Sequence, residues 1–222
     1  MPSRSLQRRS PRYQIQLPFV HRGTPAARGV RVGWTRDLSE EGACVEVAER
    51  LPLQNPCWLR LRTDRGLIEV EGQVAWTGGA TPAGDGFLHG VAFTRIAPAQ
   101  RQALRDLLST KGGAQRFEIR LPLALSVTCR RKGRARLSLL GRTSDISRRG
   151  LSLRLLQVLP PGTALEVTLH TPRGPLKTEG TVIWAEPPER RKPGELIAHG
   201  FRFTHLGWST SLVLSVVLAD SG

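Results

Sequence analysis

Cysteine is scarce and unpatterned in this chain. The three present, Cys44, Cys57 and Cys129, are odd in number and lack CxxC spacing, which argues against a disulfide framework and against a zinc site. Cys57 alternates with Leu59 and Leu61, and Cys129 with Leu125 and Val127, the setting of small buried hydrophobes. Long apolar runs are missing too. The best, Ser211 to Ala219, is about half of the roughly 20 residues a membrane helix needs. The start, Met1 to Arg12, is basic with no apolar stretch behind it, so no secretory signal is visible; a cytoplasmic protein without membrane insertion is expected. Catalytic patterns are equally thin. His21, His89, His170, His199 and His205 form no HxxxH or HExxH pair, and Ser39 and Ser147 have no nucleophile-elbow context or recurring base. No enzyme, metal or cofactor is expected.

Acidic residues are outnumbered. Against 33 Lys and Arg stand 18 Asp and Glu, a formal balance of +15 over 222 residues, which predicts an anionic partner: nucleic acid, an acidic membrane surface or a phosphorylated small ligand. A hydrophobic content of 39% is enough for packed cores, so wholesale disorder is excluded.

The chain is written twice. Gln7, Arg8 and Arg12 recur as Gln115, Arg116 and Arg120, and Asp37, Ser39 and Gly42 recur as Asp145, Ser147 and Gly150, both 108 positions on. Gly72, Val74 and Trp76 match Gly180, Val182 and Trp184 at the same offset; His89, Gly90 and Phe93 match His199, Gly200 and Phe203 at 110, so a slip of two falls in the loop between them. Two tandem domains, 1–110 and 111–222, are expected, joined near Ser109 to Ala114 with Lys111, Gly112 and Gly113 as a hinge.

Within each copy the apolar residues alternate, as Ala43, Val45 and Val47 do, or Leu151, Leu153 and Leu155. About six short antiparallel strands are predicted per copy, in the first near 15–20, 28–36, 43–48, 57–63, 67–76 and 87–94, with turns at Asp64-Arg65-Gly66 and Pro172-Arg173-Gly174. Six short strands close most simply into a small barrel, which removes exposed edges. A helix over Pro98 to Leu108 follows, with Leu104, Leu107 and Leu108 on one face; its counterpart, Trp208 to Leu218, is rich in Val and Leu and reads as either helix or strand. The fold class is all-β with minor α: two tandem six-stranded antiparallel barrels, each followed by a C-terminal helix. His89 and His199, each before a Gly in a strand, read as structural histidines, and Trp76 and Trp184 lie on the parity of Val74 and Val182, which points to core packing.

The recurring polar set has a chemistry of its own. Arg holds phosphate oxygens or the O6/N7 edge of guanine with a planar fork. Asp accepts from the N1–H and exocyclic amine of guanine, Ser adds a small hydroxyl, and Gly lets the backbone approach a ligand. The set suits a guanine-containing phosphodiester.

In both copies the sequence resembles the PilZ family of bacterial cyclic di-GMP receptors. The carrying motifs are RxxxR (Arg8 and Arg12; Arg116 and Arg120), DxSxxG (Asp37, Ser39 and Gly42; Asp145, Ser147 and Gly150) and GxxF (Gly90 and Phe93; Gly200 and Phe203). The resemblance implies a six-stranded barrel with a C-terminal helix per copy, a mobile RxxxR lead-in that grips phosphates and guanine, and an Asp and Ser that bind a guanine edge. It implies cyclic di-GMP as the ligand and leaves open, through Gln7 and Gln115, whether one molecule or an intercalated pair is bound. Arg9 joins the first site; Trp76 and Trp184 are secondary stacking candidates. A separate downstream protein effector is expected.

The copies differ beside the motif, where Glu40 and Glu41 of the first become Arg148 and Arg149 in the second. Tighter, more salt-sensitive binding is therefore expected in the second copy. The alternatives are a nucleic-acid-binding tandem barrel using the basic runs 130–136 and 190–192, or a scaffold with one degenerate copy.

Overall fold

A computed structural model describes residues 10–23, 29–81, 86–111, 117–132, 138–187, 189 and 194–221. The chain divides into two compact units, one built mainly from residues 1–117 and the other from 118–222. Among the described residues, no helix is long and apolar enough to cross a membrane.

The first unit is a closed antiparallel barrel of β1 (Pro18–Arg22), β2 (Arg31–Leu38), β3 (Gly42–Val47), β4 (Pro56–Thr63), β5 (Gly66–Ala80) and β6 (Phe87–Arg95), in the order β1-β2-β3-β6-β5-β4 and back to β1. Helix α1 (Pro98–Lys111) follows. The second unit repeats the scheme with β7 (Ser126–Arg131), β8 (Ser138–Ile146), β9 (Gly150–Leu155), β10 (Ala164–Thr171), β11 (Gly174–Ala185), β12 (Ile197–His205) and α2 (Trp208–Asp220). Its ring runs β7-β10-β11-β12-β9-β8, closed by the β7–β8 pair, and a two-residue strand, Leu121–Pro122, adds to β8.

Alternation decides which residues fill each barrel. Leu59 and Leu61, Val45 and Val47, and Val70 and Val74 point inward in the first unit; Leu151, Leu153 and Leu155, with Leu165, Val167 and Leu169, do so in the second. Each such side chain contributes roughly 1.5–3 kcal/mol on leaving water. At the crowded corner between β2 and β3 the two copies solve the same space differently. A Cβ on Gly33 would lie 2.7 Å from the Phe19 ring and 2.8 Å from Val47, whereas at Gly141 the nearest side chain is Leu155, at 2.5 Å. Phe19 and Val47 correspond, 108 positions on, to Val127 and Leu155: the first copy is large then small, the second small then large.

The tight turns match their sequence signals. Gly66 and Gly174 take φ of 135° and 110°, and the hydroxyls of Thr63 and Thr171 donate to their carbonyls at 2.9 and 2.7 Å. The helices differ from the sequence reading in two respects. α1 continues through Lys111, so Ser109 to Lys111, read as part of the join, belong to the helix; residues 112–116 lie outside the described residues. The segment that read as helix or strand is helical, because Ser211, Leu214, Ser215 and Leu218 are buried at a spacing of three and four, and that burial overrides the β-preference of its valines.

His21 on β1 is buried near Arg31 and His89; burial above all, then Arg31, lowers its pKa from 6.5 to about 4. Below pH 6.5 the unfolded chain takes up a proton that the folded barrel refuses, so the stability of the first unit is lost as pH falls from 6.5 toward 4. The loss reaches about 2–3 kcal/mol by pH 4.5. Urea midpoints measured across this range should show it, and His21→Phe should flatten the curve. Identical pH profiles for parent and variant would remove His21 as the cause.

Candidate functional site

The second strand of each barrel carries the motif aspartate, and a bulge aims it. β2 and β3 pair Thr35 with Val45, then slip so that Asp37 faces Cys44; β8 and β9 slip identically between Thr143 and Asp145, which faces Ser152. The extra residue turns the aspartate to the outer face of the sheet. Arg12 Nη1 donates to Asp37 Oδ1 at 2.7 Å, and Arg120 Nη1 to Asp145 Oδ1 at 2.8 Å. The Cys44 amide adds a bond to Asp37 Oδ1 at 3.3 Å. Both ion pairs are roughly a third exposed, so each contributes no more than about 1 kcal/mol and is easily rearranged around an incoming ligand.

The lead-in that delivers each arginine is tied down by its backbone. Tyr13 and Leu38 exchange two hydrogen bonds of 2.9 Å, and Leu121 pairs with Ile146 in the same place. A buried threonine completes the tie. The Thr35 hydroxyl donates to Ile15 O at 2.6 Å and accepts from the Leu17 amide at 2.8 Å; Thr143 donates to Leu123 O at 2.5 Å and accepts from the Leu125 amide at 2.9 Å. These two threonines lie outside the RxxxR, DxSxxG and GxxF motifs, and their signal in the sequence is the recurrence of Gly-x-Thr-x-Asp at 33–37 and 141–145.

The DxSxxG loop is self-braced. Ser39 and Ser147 are buried, and their hydroxyls donate to Gly42 O and Gly150 O at 3.1 and 2.9 Å, joined there by their own amides. Phe93 and Phe203 of the GxxF motif donate their amides to Glu41 O and Arg149 O at 2.8 Å, which binds the loop to the last strand. Gly42 and Gly150 lie so close to that strand that a Cβ would meet Val91 O at 2.4 Å and Phe201 O at 2.2 Å.

Trp76 and Trp184 depart from the core packing that their parity implied. A second bulge, between Val74 and Trp76 and between Val182 and Trp184, reverses the alternation, and the indoles emerge 41% and 43% exposed. Each lies over a glycine: a Cβ on Gly90 or Gly200 would fall 1.9 Å from the indole Nε1. Register places Asp37, Cys44, Gly90 and Trp76 in one row across four strands, as it does Asp145, Ser152, Gly200 and Trp184. With strands about 4.8 Å apart, the carboxylate and the indole over its glycine flank a shelf about 10 Å wide.

The surroundings of the shelf differ in charge. Glu40 of the first loop is bonded to Arg105 of α1 at 2.8 Å, while the second loop presents Arg148, half-buried, and Arg149, exposed. Arg8, Arg9 and Arg116, with Gln7 and Gln115, lie outside the described residues, as do 133–136 and 190–192 of the basic runs; Lys132 bonds to Glu179 at 2.5 Å.

Cys44 lies in the shelf row of the first barrel. Burial first, then Asp37, pushes the Cys44 thiol up to about 11, so it stays protonated. His89 and His199 are fully buried structural residues whose Nε2 atoms accept the Leu51 and Leu159 amides at 3.3 and 3.0 Å; burial lowers the pKa of His89 and keeps it neutral. Among the described residues, no group of three His, Cys, Asp or Glu could hold a metal ion.

The family described as PilZ domain matches residues 6–110 and again 114–210. Among solved structures, the chain is similar to the PilZ domain of YcgR from Escherichia coli with c-di-GMP, at 12% identity over 47% of this chain and 90% of that one, with a TM-score of 0.39. The Bacillus subtilis inhibitor of motility aligns at 11% identity over 92% and 95%, with a TM-score of 0.38, and the K. pneumonia MrkH–c-di-GMP complex at 14% over 91% and 86%, with a TM-score of 0.35. No curated protein matches.

Proposed function

The chain belongs to the PilZ domain family, in two tandem copies, and from that premise we propose that it is a cyclic di-GMP receptor that binds ligand on the outer shelf of each barrel. The observation that carries this reading is the twofold placement of a lead-in arginine on a bulge-aimed aspartate, Arg12 on Asp37 and Arg120 on Asp145. Each aspartate has a second oxygen to accept from the N1–H and amine edge of guanine, while Arg12 and Arg120, with Arg8, Arg9 and Arg116 of the same lead-ins, hold the phosphates bidentately. Ser39 and Ser147 brace the loop, Gly42 and Gly150 let it lie against the last strand, and Trp76 and Trp184 offer indole faces to a purine on the shelf. Arg148 and Arg149 add positive charge to the second site.

The output is a change of shape. Lys111 ends α1, and Arg116 and Arg120 follow within nine residues. Capture of ligand by those two arginines orders this short linker and re-aims one barrel relative to the other, a disorder-to-order switch read by a separate effector protein. Small-angle scattering that is unchanged at saturating ligand would remove the re-aiming while leaving the binding intact.

Calorimetric titration of the chain with cyclic di-GMP, beside a duplex DNA, tests the receptor reading. Cyclic di-GMP should bind in two events, the tighter one belonging to the second barrel and weakening more with salt, because its loop carries two arginines where the first carries two glutamates. Uptake of DNA with none of the dinucleotide would replace this reading with a nucleic-acid interface.

A further inference from the structure

One step along the strands from Asp145, the outer face of the second barrel carries two cations that no motif includes. Arg142 on β8 stands directly opposite Arg154 on β9, while Asp145 stands opposite Ser152. Thr143, Leu153 and Leu155 are buried on the inner side; Arg142 is exposed and Arg154 half-buried on the outer. Like charges in directly opposed positions of an antiparallel pair repel. Neither guanidinium has an ion-pair or hydrogen-bond partner among the described residues. The fold itself does not require cations here. At the equivalent position the first barrel pairs Trp34 with Glu46, both buried, with Arg36 Nη1 3.5 Å from the Glu46 carboxylate.

We propose that Arg142 and Arg154 form a further phosphate subsite of the second barrel, continuous with Asp145 and Ser152, which makes this copy the tighter and more salt-sensitive of the two. The inference rests on the cyclic di-GMP reading above. Opposed residues of an antiparallel pair lie about 4.5–5.5 Å apart, close enough for two planar forks to share the non-bridging oxygens of one phosphodiester. Two residues of strand rise about 7 Å, so a ligand whose guanine meets Asp145 spans the distance to a phosphate over the arginines. A bound phosphate also cancels their mutual repulsion, so an unfavourable contact in the free barrel becomes a source of affinity in the complex.

The test is calorimetric titration of the full chain and of Arg142→Ser/Arg154→Ser with cyclic di-GMP at two salt concentrations. The second-barrel event should weaken by about tenfold or more and lose much of its salt dependence, with the first event unchanged. The ligand-free variant should melt at the same temperature as the parent or higher, since the repulsion is gone. A second event within twofold of the parent overturns the subsite, and so does a lowered melting temperature with both events weakened, which would mark the arginines as structural. A parent chain that takes up no cyclic di-GMP overturns the receptor reading and this subsite together, so the parent titration separates the two failures.

Discussion

Truncating either partner of the second barrel's ion pair, by Arg120→Ala or Asp145→Ala, is expected to weaken cyclic di-GMP binding there by about ten- to a hundredfold. Each residue supplies a charge-assisted hydrogen bond of about 1.5–3 kcal/mol to the ligand, and about 1.4 kcal/mol is a factor of ten. Stability should barely respond. The Arg120–Asp145 pair is about a third exposed, and pairs of that kind hold a fold together by less than about 1 kcal/mol. The two losses should not add, because the side chains touch: the double variant is expected to bind little worse than Asp145→Ala alone. Titration of the three variants, with thermal melts alongside, checks both statements. If Asp145→Ala binds within twofold of the parent, the shelf is not where the ligand sits. Arg12→Ala and Asp37→Ala should repeat the pattern in the first barrel.

Gly150→Ala is expected to destabilise the second barrel strongly. Its Cβ would lie 2.2 Å from the Phe201 carbonyl oxygen, and Gly42→Ala would bring one to 2.4 Å from that of Val91. In both cases the obstacle is main chain of a paired strand, not the tip of a side chain that can swing away. The strands must separate at the point where the loop is bonded to them, at Phe203 N to Arg149 O and Phe93 N to Glu41 O. Overpacking of this kind costs about 3 kcal/mol, equivalent to a fall in melting temperature of more than about 10 °C for a domain of roughly 100 residues. Gly79→Ala is the control, since nothing lies within 4 Å of its added methyl. Equal melting temperatures for Gly150→Ala and Gly79→Ala would show that the close approach is relieved at little cost.

The parts that were legible in the sequence are those whose signal is periodic or repeated. Alternation located the strands, and the 108-residue offset located Arg12, Asp37, Ser39 and Gly42 with their counterparts. Bulges carry no such signal. Simple alternation from Val74 puts Trp76 in the core, and one extra residue in β5 turns it out over Gly90. The same blindness hid Thr35 and Thr143, because a threonine in a strand looks alike whether it fills space or clasps a neighbouring backbone; only its three-dimensional partners, Ile15 with Leu17 and Leu123 with Leu125, separate the two. α2 was ambiguous for a different reason, since its valines favour a strand locally and only burial at Ser211, Leu214, Ser215 and Leu218 settles the helix.

The exchange of bulk between Phe19 with Val47 and Val127 with Leu155 bears on how a duplicated chain folds at all. Two barrels with one strand order invite misassembly, in which β1 closes the wrong ring during synthesis or refolding. Here the intruder does not fit. Phe19 in the second ring would meet the larger Leu155 over Gly141, and Val127 in the first would leave a hole beside Val47. Either error carries an overpacking or cavity penalty of a few kcal/mol. Compensating divergence at one inward corner thus makes each first strand fit its own barrel better than the other.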